Sequence, residues 1–538
     1  MRIGIGVHHR RLDAVCLRPD GTLWTHSVPS DGEAIDSALD RLLSDIGAPR
    51  DPVRSIAFDL SEVLRRSDRL PLTVVRIAPR PPIDPGDEPK IGEAPILHVR
   101  GGHTTLGEEL APFDSTGFRE ASARIPEGSR VVITSAGALV NPAHELAAGE
   151  ILLEHPGALS VSFSHAFDSN SFATRERTAL LNSALLPDAE ALSTALALVA
   201  GRHHPDARLS VTRNDGGRVP LSRLADAPVH SAFSGSPIEF IGAAALCGLD
   251  DGDLVLATGD GLRLGTLRFG AAVVVPQLRW GGARLATQTA HLVPASEILL
   301  SGRSPAPRVV RARGAGLPGW LDASGLVETD LDLRALGAAC APLTDWAVDI
   351  VGAGSAAEMA HELQAAEARV RTRLAAFGAL PSTDVRHLRT GALFLACAAD
   401  PEWCDEQQDR ILSRLATGRP DPELLGVEEL PDDALVAAVG FVNNGLPLSE
   451  IRPAGDEFVT SVRLLERELG RRIDGLFPLA AANVNSMVPL LTGMQLDRPV
   501  VDADPMGRVF PLLYQSVFTL AGLPAGPLAA TGPVGESA

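Results

Sequence analysis

Lysine is all but missing from this 538-residue chain: Lys90 stands alone, and 47 of the 48 basic residues are arginine. The skew points to a biased genome and removes lysine as a general catalytic candidate. Cysteine is nearly as scarce. The five present, Cys16, Cys247, Cys340, Cys397 and Cys404, form no C-x-x-C pair, which excludes a zinc ribbon or disulfide framework and fits a reduced compartment. No uninterrupted apolar run approaches the roughly 18 residues of a membrane helix. Met1 leads straight into the strand pattern RIGIGV, without the basic and apolar stretches of a signal peptide. A cytoplasmic location and no membrane partner are expected.

Positive charge never gathers into a stripe. The net charge of −19 comes from scattered acidic residues, which opposes binding to a phosphate backbone, so no nucleic-acid partner is expected. The charge serves solubility. His144 and His361 each open a His-Glu-Leu, yet neither has a second histidine four residues on, which excludes a zincin-type site and leaves any metal unassigned. There is no G-x-S-x-G nucleophile elbow. Cys397 is the one thiol worth testing as a nucleophile, against its reading as a small buried hydrophobe.

What is present is a length for two to four domains and 45% apolar residues to fill their cores. The organising stretch is Leu254–Gly270, LVLATGDGLRLGTLRFG, an apolar strand, a Gly-rich turn and a second strand. Such a turn either lets backbone N–H groups approach a phosphate or is an ordinary β-turn. Residues 2–17 read as strand, turn, strand, in the way an actin-like ATPase begins. Helical spacing covers 34–46, short strands 55–60, 130–135, 159–163 and 208–211, and one long helix 175–200, broken near Pro187. Five prolines make 78–89 a loop, and the Arg/Pro/Gly-rich 301–319 reads as a linker. An amphipathic helix spans 355–377.

The succession Asn141-Pro142-x-His144-Glu145, Ser164-His165, Arg175-Glu176-Arg177-Thr178 with Asn182, Asn214-Asp215-Gly216-Gly217, and Ser234-Gly235 before Gly242-Ala243-Ala244 resembles the hydantoinase A/5-oxoprolinase family over roughly residues 2–300. The resemblance implies an α/β chain with the two-lobed actin-like, sugar-kinase-like ATPase fold. It implies ATP-linked chemistry on a cyclic amide such as hydantoin or 5-oxoproline, and it makes His144, Glu145, Asp215, Gly216 and Gly217 substrate- or anion-binding candidates.

The phosphate turns depart from that family. Its first turn runs Asp, an apolar residue, Gly-Gly-Thr, an aromatic, Thr, Asp; here Gly6-Val7-His8-His9-Arg10-Arg11-Leu12-Asp13 keeps only the last carboxylate. Where the second turn should hold carboxylates at both ends, this chain has Leu256 and Arg263 around Gly259-Asp260-Gly261. Asp13, Gly259, Asp260 and Gly261 thus form a degenerate nucleotide site, and ATP and Mg²⁺ are expected from the family but not retained. His8, His9, Arg10 and Arg11 read either as a solvated turn or as a small cationic cluster for an anion.

Pro499-Val500-Val501-Asp502-Ala503-Asp504-Pro505-Met506-Gly507-Arg508-Val509-Phe510-Pro511 resembles the signature of the S-methyl-thiohydantoin desulfurase family. Asp432-Asp433, Gly445-Leu446-Pro447 with Glu450, and Asn485-Ser486 before Pro489-Leu490 keep that family's order. The resemblance covers about 385–525, the family's N-terminal domain, and implies that a partner chain carries the C-terminal one. A Gly-rich loop of the family has become Ala396-Cys397-Ala398-Ala399-Asp400-Pro401. Asp502 and Asp504, at i and i+2, would share a metal or a proton, with Arg508 pairing to either or the pair merely pinning a turn. Asn485 would orient a ring amide or satisfy backbone.

Four consecutive blocks are expected: lobes at 1–150 and 151–300, a linker and helical connector at 301–384, and the desulfurase-like domain at 385–538. Catalysis is assigned to Asp502, Asp504, Arg508 and Asn485. The functional expectation is a cyclic-amide hydrolase that has lost ATP use. Its alternative is a non-catalytic scaffold subunit in a hetero-oligomer.

Overall fold

The computed structural model describes residues 1–30, 33–47, 51–64, 71–83, 94–155, 157, 160–301, 305–322, 324–348, 355–378, 423–441, 450–451, 453–481, 483–507, 512 and 514–538. The readings placed on Ala396–Pro401 with Cys397, on Gly445-Leu446-Pro447 and on Arg508 lie outside them. The protein is mixed α/β. It divides into two units, one of residues 1–70 and 177–386, the other of 71–176 and 387–538. These are not the four consecutive blocks expected at 150, 300 and 384, because sheet pairing joins segments far apart in sequence.

Among the described residues the first unit holds two six-stranded sheets and two small two-stranded ones. In the first, β1 (Arg2–Val7), β2 (Arg11–Leu17) and β3 (Leu23–Pro29) form an antiparallel meander. On its other side β1 runs parallel to β4 (Ser55–Asp59), and β4 to β5 (Arg208–Thr212), with β6 (Arg218–Pro220) at the edge. In the second, β7 (Gly252–Thr258), β8 (Gly261–Arg268) and β9 (Ala271–Ala272) repeat the meander, and β7 runs parallel to β10 (Arg308–Ala312), then β11 (Val327–Thr329). Leaving aside the short strand Val293–Pro294, which pairs with β8 beside this path, both sheets carry the order 3-2-1-4-5. This is the two-lobed arrangement that the actin-like resemblance implies.

Local sequence explains the repeat. In β1 the alternation Ile-Gly-Ile-Gly turns Ile3, Ile5 and Val7 into one core, where they meet α1 (Ile35–Ile46) through its buried Leu39, Leu42 and Leu43. The glycines face the other way. A Cβ on Gly4 would lie 2.0 Å from the carbonyl oxygen of Ala335, so only glycine lets a helix backbone come this close. That helix, α3 (Leu333–Cys340), also packs against α2 (Gly235–Leu246), where Gly242 and Gly337 would carry Cβ atoms about as near the carbonyls of Leu333 and Ile238. In β7, Leu254 and Leu256 join the same core as α2 and α3, while Val255 faces Leu264 and Val309.

Two expectations are corrected here. The linker at 301–319 contains β10, and 301–384 contains β11 and α3 as well, so this stretch is integral to the second lobe. Val309 and Val310 are 3% and 0% exposed, and their parallel pairing to β7 outweighs the arginines, prolines and glycines around them. The long helix runs unbroken from Phe172 to His203 with Pro187 inside it. One proline removes one backbone donor, and the buried Ala184, Leu185 and Ala189 on either side hold the turn in place. By length and composition this helix is the one candidate for a membrane span among the described residues. Its Ala189, Leu196, Val199 and Ala200 belong to the first unit's core.

The second unit holds two parallel four-stranded sheets. One has the order Ile96–Arg100, Leu72–Ala78, Arg130–Ser135, Ser160–Phe163, with helices Ser115–Ser122 and Ala143–Leu153 over a core that includes Val75, Ile77, Phe118, Val131 and Ile133. The other, in the order 424–425, 500–501, 475–478, 436–439, carries helices Glu457–Leu469 and Val488–Leu496.

Candidate functional site

The strongest concentration of charge in the first unit lies where the β1–β2 turn meets the start of α3. His8 donates its turn N–H to the carbonyl of Arg11 at 2.9 Å and folds its ring inward. Nε2 lies 2.7 Å from Asp332 and 3.4 Å from Asp13, and Nδ1 lies 3.2 Å from Glu62. Asp332 caps α3, its Oδ1 accepting the Ala335 N–H at 2.7 Å while Oδ2 takes His8. Two residues on, Arg334 pairs with Glu62 and, at 2.9 Å, with Glu239 of α2. Behind them Asp59, at the end of β4 and fully buried, accepts hydroxyl bonds from Thr212 at 2.8 Å, Ser234 at 2.5 Å and Ser61 at 2.9 Å.

Carboxylates outnumber cations here: Asp13, Asp59, Glu62, Glu239 and Asp332 face His8, Arg11 and Arg334. Burial disfavours a charge on His8, but the bonds and charges of Asp332 and Glu62 outweigh it and raise its pKa to about 9, so the ring is an imidazolium at neutral pH. Burial likewise works against the ionised forms of Asp332 and Glu62, and both still sit below their ordinary range because of His8 and Arg334. For Glu239 burial wins, and its pKa is raised despite Arg334.

Of the sequence-predicted residues, Asp13 belongs to this cluster. Gly259, Asp260 and Gly261 form the exposed β7–β8 turn, where a Cβ on either glycine would meet nothing within 4 Å and Asp260 takes the Thr258 hydroxyl through its own N–H at 3.3 Å. The cationic-anion-site reading of the β1–β2 turn is overturned: His8 and Arg11 are already engaged by carboxylates, and His9 and Arg10 are exposed. Asp215 closes its own turn, its Oδ1 accepting the Gly217 N–H at 2.8 Å, with Gly216 at φ 84° and Gly217 tight against Thr344. That turn is internally satisfied rather than open to an anion.

In the second unit Glu145 is fully buried and saturated. It accepts from Ser135 N–H at 2.8 Å, Ser164 Oγ at 2.6 Å, His165 N–H at 3.0 Å and His165 Nδ1 at 2.6 Å. His144 accepts the Gly102 N–H at 2.8 Å, lies 3.3 Å from Glu109, and stacks near His103 with ring centroids 4.2 Å apart. His144 is therefore a packed residue; burial lowers its pKa, and that of His103. Nearby, Arg175 is fully buried and matches all five of its N–H donors: Ser164 Oγ, the carbonyls of Ser135 and Ser169, and both oxygens of Glu450. Arg76 and Glu176 form a second buried bidentate pair.

Two of the residues assigned to catalysis, Asp504 and Asn485, are bound up in backbone contacts. Asp504 accepts the N–H groups of Ala481 at 3.0 Å, Met506 at 2.8 Å and Gly507 at 3.0 Å, which pins its turn. Asn485 accepts the Phe441 N–H at 2.8 Å. Asp502 follows the last strand and is exposed, so the two aspartates do not share one bond network among the described residues.

Sequence reasoning missed Asp332, Arg334, Glu62, Glu239 and Asp59. One signal was available: Asp332 precedes Leu333-Arg334-Ala335-Leu336, an N-cap before an apolar-periodic run.

Two solved structures are similar to part of the chain. A nucleotide-free acetone carboxylase shares 15% identity over 55% of this chain and 48% of its own, with a TM-score of 0.44. An ATP-dependent caprolactamase from Pseudomonas jessenii shares 15% over 57% and 52%, with a TM-score of 0.37. This chain thus spans about half the length of each. No curated protein matches the sequence. Residues 383–538 match the family model described as S-Me-THD-like, N-terminal domain, the domain that the Pro499–Pro511 signature implies.

Proposed function

We propose that this chain is a hydantoinase/oxoprolinase-like protein that acts on a cyclic amide ring of the hydantoin, thiohydantoin or oxoproline type and does so without ATP. The observation that carries the loss of ATP is His8. In the turn where a phosphate would need glycine-lined backbone, a histidine fills the space and lies 2.7 Å from Asp332. A phosphate cannot approach the backbone of this turn without displacing that contact. The ring chemistry rests on the match of 383–538 to a thiohydantoin-type domain and on the sequence resemblance of residues 2–300.

Ligand-induced stabilisation tests it. A ligand at 100 times its dissociation constant adds about 2.7 kcal/mol, so a cyclic amide should raise the melting temperature while Mg-ATP leaves it unchanged, and ring opening should proceed equally with and without ATP. A shift with Mg-ATP, or turnover only in its presence, sinks the reading.

Asp504 and Asn485 favour a second reading, a non-catalytic subunit completed by a partner chain, since both side chains are spent on backbone N–H groups. Ring binding without turnover by the chain alone, with turnover restored by a partner that carries the thiohydantoin family's C-terminal domain, would select it.

A further inference from the structure

We propose that His8, Asp13 and Asp332 form a binding site for a single divalent transition-metal ion of the zinc and manganese class. The proposal goes beyond the ring chemistry and stands whether or not a ring is bound. One donor atom from each residue lies within 4.8 Å of the other two. The three come from separate elements: the β1–β2 turn, strand β2 and the cap of α3.

The spacing suits an ion. Ligands about 2.0–2.1 Å from a zinc ion stand about 3.3 Å apart in a tetrahedron. His8 Nε2 is 3.4 Å from Asp13 Oδ2 and 2.7 Å from Asp332 Oδ2. Slight opening of the second contact and closing of the two carboxylates would admit the ion.

The surroundings are those of a built site. His8 presents Nε2 because Nδ1 is held by Glu62 at 3.2 Å, the carboxylate–histidine arrangement that orients metal-bound imidazoles. Asp332 spends Oδ1 on the Ala335 N–H, and its Oδ2, which meets the His8 proton in the metal-free protein, turns to the ion. The ion replaces the proton of the His8 imidazolium, and two carboxylates with the imidazole then neutral balance its divalent charge. All three side chains are 13–15% exposed, so the ion can enter and keep a water. The competing group on Asp13 is Arg11, whose side chain is 58% exposed and can swing into solvent. A histidine nitrogen among carboxylates also favours zinc or manganese over magnesium.

The test uses the full chain stripped with EDTA and dialysed. Zinc titrated against a chelating dye should bind at one ion per chain, cobalt should give a visible absorption band, and magnesium at equal concentration should not compete. His8→Gln and Asp332→Asn should each abolish the stoichiometric site, Asp13→Asn should weaken it strongly, and Glu62→Gln should weaken it about 10–100-fold. His203→Gln, on the surface beside Asp40, should leave it unchanged. Melting curves and circular dichroism establish that each variant is folded. No stoichiometric binding, or binding that survives both His8→Gln and Asp332→Asn in folded protein, overturns the proposal.

Discussion

The charged clusters of the two units meet opposite conditions. In the second unit Arg175 and Glu450 are 0% and 3% exposed, and every guanidinium donor has a partner. In the first, His8, Arg334, Glu62 and Asp332 are 13–30% exposed and carboxylates exceed cations. A sealed, fully matched pair has nothing left with which to recognise a ligand, and breaking it strands a charge in low dielectric. A partly exposed cluster with surplus carboxylates can exchange partners at smaller cost, which is what a binding site requires. Burial alone is therefore a poor guide to function in this chain.

The contrast is broken most severely at Arg175. Arg175→Met should cost about 3–5 kcal/mol, because it leaves Glu450 buried without its cation, whereas the double change with Glu450→Met should recover much of that loss in denaturant unfolding. Equal losses for the single and double variants would show that the pair is not the source of the stability. Next comes the glycine seam of the first unit. Gly4→Ala should cost toward the upper end of the about 1–3 kcal/mol typical of overpacking, since its methyl meets the backbone of α3 and no flexible side chain can yield. Wild-type stability in Gly4→Ala would mean that α3 does not sit against β1. Smaller again is Asp504→Ala, which frees three backbone N–H groups on a half-exposed turn; about 1 kcal/mol is expected, read from the same unfolding curves.

The gentlest probe is pH. His103 and His144 have lowered pKa values, so the unfolded chain takes up their protons first, and their contribution is lost as pH falls below their ordinary 6.5. His8 has a raised pKa, so in chelator-treated protein its contribution is complete below 6.5 and is lost as pH rises through about 9. Melting temperature against pH should thus fall on both sides, with His103→Leu flattening the acid limb and His8→Gln the alkaline one. Variants that shift neither limb would break the assignment of those limbs to these rings.

Much of the local structure was legible. Residues 2–17, the hairpin at 254–270 and the helix at 355–377 announce themselves through alternation, Gly-rich turns and helical spacing, and the structure has them close to those bounds. Strand β10 was not, because its two valines sit in linker-like composition and become a strand only through pairing with β7. Of the candidate site, His8, Arg11 and Asp13 were legible from the single stretch Gly6 to Asp13. Their partners were not: the bond between His8 and Asp332 joins residues 324 positions apart.

The sequence by itself determined where short-range order begins and ends, and the loss of glycine at the first turn, since alternation, capping and backbone freedom act within a few residues. Only the tertiary structure decided which carboxylates gather round His8 and which residues share a unit. Charge pairing and parallel strands depend on distance in space, and the fold alone converts separation along the chain into contact.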